Sequence, residues 1–64
     1  MKLRASVWTV DPRDGEMRYQ VRELDIPGGD VQDFQAQVLD EETTARGVDT
    51  EVYFGPIGPP WRKA

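Results

Sequence analysis

Asp40, Glu41 and Glu42 stand in a row, with Asp30 and Asp33 a few residues upstream. Clustered carboxylates hold hard cations, and paired ones act as general acid and base. They are most of the chemistry this chain offers, because it has no histidine and no cysteine. No side chain titrates near neutral pH by default, and there is no thiolate nucleophile, disulfide or thiolate metal site. Successive helical residues point about 100° apart, so three acids in sequence do not converge on a cation. The spacing is not that of an EF-hand. An acid–base pair needs a cleft, and one helix on one sheet leaves little volume for it. Gly28-Gly29 lacks the Lys-Ser/Thr of a phosphate loop. The expectation is no metal, no cofactor and no catalysis.

Charge directs attention to binding instead. The net charge is −4. Residues 23–51 hold nine acids against Arg46 alone, a net of −8, whereas residues 1–22 hold five bases against three acids, a net of +2. Such a field attracts basic partners and repels nucleic acid. Nucleic-acid binding would rest on Arg18, Arg22, Arg62 and Lys63, with Trp61 or Tyr53 to stack on bases, and the acidic balance opposes it. The acidic segment reads either as a docking surface, with Asp33, Asp40, Glu41 and Glu42 its electrostatic face, or as a solvated helix that keeps the protein soluble. With 64 residues and no staple, association with another copy or another protein is the usual route to stability. No apolar run approaches the roughly 18 residues of a membrane span. Met1-Lys2-Leu3-Arg4 lacks the apolar core of a signal peptide, so a cytoplasmic setting is expected.

The elements that would position these residues follow from local pattern. Residues 2–10 and 17–26 read as strands rich in Val, Trp, Tyr, Thr and Ile. Between them, Asp11-Pro12-Arg13-Asp14-Gly15-Glu16 has the residues of a four-residue hairpin loop: an acid to bond forward, a proline to preset φ, and a glycine to close. Facing Asp11 with Glu16 pairs Val10 with Met17, Trp8 with Tyr19, Ser6 with Val21 and Arg4 with Glu23. A one-residue slip would instead oppose Val7 and Tyr19. Asp30 is suited to cap a helix over 31–46, with Val31, Phe34 and Val38 as its apolar stripe, Glu42 and Arg46 as an i, i+4 pair, and Gly47 just past its end. Residues 48–54 alternate as a third strand, with Val48, Thr50, Val52 and Phe54 on one side. The prolines of Gly55-Pro56-Ile57-Gly58-Pro59-Pro60 argue against further pairing.

The pattern predicts an α+β fold: a ββαβ domain over residues 1–55 with a three-stranded sheet in order 2-1-3, one helix on one face, and a Pro/Gly-rich tail over 56–64. The bulkier face suggests a core of Trp8, Val10, Met17, Tyr19, Val21, Val31, Phe34, Val38, Val52 and Phe54. One helix covers one side, so Leu3, Ala5, Val7 and Leu24, fringed by Arg18 and Arg22, would be left as an apolar contact face. The alternative is that the tail folds back and lays Ile57 and Trp61 over it. Open sheet edges are a second route to association. Pro56, Pro59, Pro60 and Trp61 also suit a short polyproline-like ligand.

Val10-Asp11-Pro12-Arg13-Asp14-Gly15 and Val21-Arg22-Glu23-Leu24-Asp25-Ile26-Pro27-Gly28 resemble the opening of HicB-type antitoxins: strand, acidic glycine turn, second strand, and an end like E-L-P-G. The resemblance covers residues 5–28 and implies an antitoxin-like regulator. After Gly28 the chain departs from that pattern, with a helix in place of a further strand and no DNA-binding segment. Taken together, the expectation is a small acidic non-catalytic module that docks on another protein with a basic surface. By analogy of size and composition it would be a regulator or inhibitor of phage or mobile-element type. The competing class is a self-assembling homodimer or oligomer that uses the uncovered face.

Overall fold

The computed structural model describes residues 1–59. Strand β1 (Lys2–Val10) and strand β2 (Met17–Asp25) form the hairpin, followed by a short 3₁₀ turn (Pro27–Gly29), helix α1 (Val31–Arg46) and strand β3 (Glu51–Phe54). The sheet order is β2-β1-β3, with both neighbours antiparallel to β1. This is the expected ββαβ fold, in the expected hairpin register: Val10 opposes Met17, Trp8 opposes Tyr19 and Arg4 opposes Glu23.

Local chemistry accounts for the turns. The Arg13 backbone N–H donates to Asp11 Oδ1 at 2.9 Å, and the Arg13 guanidinium grips the same carboxylate, with Nη2 2.9 Å from Oδ2. These Arg13 donors lower the Asp11 pKa to about 2, so the loop's anchor stays ionised. Gly15, at φ 69°, takes the left-handed conformation that returns the chain. Asp30 caps α1 by accepting from the Gln32 N–H at 2.8 Å. Gly29, also at positive φ, lies against Met1, and a side chain there would strike the Met1 sulfur.

The core lies on the opposite face from the one expected. Leu3, Ala5, Val7, Ile26, Phe34 and Val38 are buried, with Leu24, Val52, Phe54 and Ile57 packed against them. Leu3, Ala5 and Val7 therefore cannot form an exposed contact face; α1 covers them. Met17 is 62% exposed, Tyr19 59% and Val21 52%, and the expected core positions Trp8 and Val10 are only half-buried. The cause is a match of shapes. The helix has a narrow apolar stripe, Phe34 and Val38, with Val31 exposed. That stripe settles closely on the small side of β1, where Ala5 stands, and a row of bulky aromatics would hold it off.

Two further expectations are corrected. Val48 is 87% exposed because Gly47–Asp49 turns before β3 begins, with the Thr50 N–H bonded to the Gly47 carbonyl at 3.1 Å. Past β3 the pairing with β1 resumes despite the prolines. The Gly55 N–H donates to the Ser6 carbonyl at 2.8 Å, and Gly58 exchanges both backbone bonds with Arg4, at 2.7 and 3.1 Å. Glycines supply the donors, and the intervening Pro56 and Ile57 bulge past the ladder. Ile57 folds onto the Leu3 side of the sheet, as one reading of the tail anticipated. Trp61, Arg62 and Lys63 lie outside the described residues.

Two buried hydroxyls, of Thr9 and Thr50, weaken the core among the described residues, and Thr9 is the deeper. Thr9 is 1% exposed, and its hydroxyl has no hydrogen-bond partner among the described residues. A buried unpaired hydroxyl costs free energy that a methyl group does not. Thr9→Val is expected to raise stability by about 1 kcal/mol, seen as a higher urea midpoint at unchanged m-value. A lowered midpoint would mean that the hydroxyl is hydrogen-bonded in solution.

Candidate functional site: the uncovered sheet face

Helix α1 packs over β1 and β3. The far side of the sheet has no layer over it among the described residues. Alternation along the strands places Trp8, Tyr19 and Tyr53 on that side, and the register sets them in one row: Tyr19 on β2 opposes Trp8 on β1, which opposes Tyr53 on β3. Trp8 and Tyr19 pack with ring centroids 5.3 Å apart and planes tilted by 54°. The Trp8 ring lies over Gly55, where a Cβ would sit 3.4 Å from its edge, so the glycine gives the indole a floor. Ser6 Oγ lies 3.0 Å from the Tyr19 hydroxyl and steadies that ring. The Tyr53 hydroxyl donates to Glu51, and that hydrogen bond, together with the carboxylate's negative charge, pushes the phenol pKa up. Met17 and Val21 extend the row into an apolar patch, both more than half exposed.

The rim of this face carries Lys2 and Arg4 against Glu23, Asp25 and Glu51. Arg4 is drawn to Glu23 at 3.6 Å, and Asp25 holds the N-terminal ammonium at 2.9 Å. The platform is thus apolar at its centre and carries balanced charges of both signs at its edge.

The charged residues singled out from the sequence are largely engaged within the fold. Arg22 reaches from β2 to Glu41 and, at 3.1 Å, to Glu42. Glu42 is 7% exposed and accepts also from Arg46 Nε and Gln20 Nε2, both at 2.9 Å. The Arg22 guanidinium holds the Glu41 carboxyl below its usual range. Arg18 bonds Asp14 at 2.9 Å. Leu24 is half-buried against the core. Asp33 and Asp40 remain exposed on the helix. The expected acidic docking face therefore loses Glu42 to the interior and has Glu41 paired, because the helix-facing side of β2 is cationic and takes up their charge. Among the described residues, no three carboxylates gather where a metal ion could be held.

A concavity of about 410 Å³ lies between α1 and the turn before β3, lined by Ala36, Leu39, Asp40, Thr43, Val48 and Thr50. It is shallow and open, with no convergent charged groups.

The alternation of Trp8, Val10, Tyr19 and Val21 revealed an apolar face without revealing that it faces outward. The better signal was Phe34, Val38 and Glu42 at i, i+4 and i+8. A carboxylate continuing the apolar stripe implies a sheet face that ends in cations, and Arg18, Gln20 and Arg22 identify that face. No helix of the described residues is long and apolar enough to cross a membrane. No family model, curated protein or solved structure matches this chain.

Proposed function

We propose that this protein is a non-catalytic binding module, working in the cytoplasm, that uses its uncovered sheet face to dock on another protein as a regulator or inhibitor. One observation carries the reading: Tyr19, Trp8 and Tyr53 stand in one row by register across all three strands, flanked by exposed Met17 and Val21. A small domain leaving this much apolar surface bare gains solubility and stability by covering it. Aromatic rings with polar tips are the residues on which binding energy concentrates. Stacking on nucleic-acid bases would use similar rings, but the net charge is −4 and the rim acids Glu23, Asp25 and Glu51 offset Lys2, Arg4 and the N-terminal ammonium, so phosphate meets no positive footprint. The complementary partner is a protein surface with an apolar centre and a margin of mixed charge.

The test is parallel affinity capture from lysate of the source cells with the wild-type chain and a Tyr19→Ala/Tyr53→Ala variant. Both tyrosines are at least half exposed, so the variant keeps its core. Each ring is expected to contribute about 2 kcal/mol, or roughly thirtyfold in affinity. The wild type should retain a protein in high salt that the variant loses, because apolar contact rather than screened charge provides the affinity. Identical capture by both chains would overturn the reading.

A further inference from the structure

We infer that two copies of this chain pair through the outer edge of β2, forming one six-stranded sheet with Val21 on the two-fold axis. β2 is an edge strand of nine residues, without proline and without a bulge along its register with β1. Natural edges of this length are normally interrupted or covered. The other edge, β3, has four residues and ends at Gly55-Pro56.

Backbone bonds fix which groups of β2 face outward. The Asp11 N–H meets the Glu16 carbonyl at 3.4 Å, and the Ile26 N–H meets the Met1 carbonyl at 2.8 Å. Antiparallel bonding alternates with period two, so Arg18, Gln20, Arg22 and Leu24 turn their backbone groups toward β1. Met17, Tyr19, Val21, Glu23 and Asp25 turn theirs to the open edge.

A two-fold partner must therefore set odd-numbered residues against odd-numbered ones, and strand overlap together with the side chains selects one register. Centred on Val21, all nine positions overlap. Val21 meets Val21, Tyr19 meets Glu23 and Met17 meets Asp25 on the bare face; Gln20 meets Arg22 and Arg18 meets Leu24 on the helix side. No like charges oppose each other. Centring on Gln20 sets Arg18 against Arg22, and centring on Arg22 sets that residue against itself, each with shorter overlap and a destabilising pair. Arg22 arrives already neutralised by Glu41 and Glu42. The two-fold places both helices on one side and joins the two aromatic rows into one platform. This inference concerns the edge of the sheet and goes beyond the docking role assigned to its face.

Sedimentation equilibrium of the full chain tests it. The wild type is expected to reach twice its 7.3 kDa mass at high micromolar concentration. Val21→Lys and Val21→Glu, at a position 52% exposed in the monomer, should each stay monomeric and folded, with self-association weakened about tenfold or more. An equimolar mixture of the two should recover the doubled mass, since only pairing of residue 21 with itself sets Lys against Glu. Tyr53→Ala, on the far strand, should dimerise as the wild type does. A wild type that stays monomeric overturns the inference, as does a mixture that fails to recover the dimer. If the wild type is monomeric and capture is still lost in the tyrosine variant, the edge inference fails while the face reading stands. A normal dimer with unaffected capture gives the reverse.

Discussion

Phe34→Ala is expected to remove about half or more of the protein's folding stability. Phe34 is fully buried, and its ring meets Phe54 edge-on with centroids 6.5 Å apart. It is the largest of the fully buried side chains, and it joins the helix to β3. Truncating a buried phenylalanine costs about 3–5 kcal/mol, part lost transfer energy and part cavity. At about 0.05–0.15 kcal/mol per residue a chain of this size has only about 3–10 kcal/mol in total. Circular dichroism in a urea titration would show the loss as a midpoint lowered to about half its value or less. Leu39→Ala is the control: same helix, 45% exposed, expected cost below about 1 kcal/mol. A Phe34→Ala protein with a full folded baseline and a midpoint near that of Leu39→Ala would contradict this core.

The second large effect is expected at Glu42. Its carboxylate takes three bonds, from Gln20, Arg22 and Arg46, and ties β2 to the last turns of the helix. Glu42→Ala strands those donors. Breaking a deeply buried pair costs about 3–5 kcal/mol. Here Arg22 is 18% exposed and Arg46 29%, and Arg22 keeps Glu41, so a loss of about 2 kcal/mol is expected. Glu42→Gln, which keeps an acceptor and the shape, should lose about half of that. Glu41→Ala should lose less than either, because Glu41 is 43% exposed. Urea midpoints for the three variants check the order. If Glu41→Ala proves the costliest, the ion-pair arrangement between β2 and α1 is wrong.

Both effects bear on what could be read from the chain before its structure. The hairpin, its register, the helix and its cap were legible because their determinants are local. Asp11, Pro12 and Gly15 define one turn, and Asp30 and Gly47 bracket one helix. The choice of face was not local. β1 alternates Leu3, Ala5 and Val7 with Ser6, Trp8 and Val10, so both sides look apolar, and hydrophobic bulk points to the wrong one. The deciding fact is a fit across sequence distance: a helix with only Phe34 and Val38 to bury, and Glu42 next in line, fits a small surface bordered by arginines. The candidate contact set of Leu3, Ala5 and Val7 was inverted by the same error, and the aromatic row took its place. The return of pairing at Gly58 was hidden by neighbouring prolines, whose effect on the ladder depends on which way their nitrogens point.

That returning segment has a practical corollary. Gly58 lies beside Arg4, and Met1 beside Ile26, so the described chain begins and finishes at one pole of the sheet, while the 11–16 turn marks the other. A dye placed at Met1 or at Gly58 is thus held at the same pole, and the opposite tip stays clear for contact with a surface or an immobilised ligand.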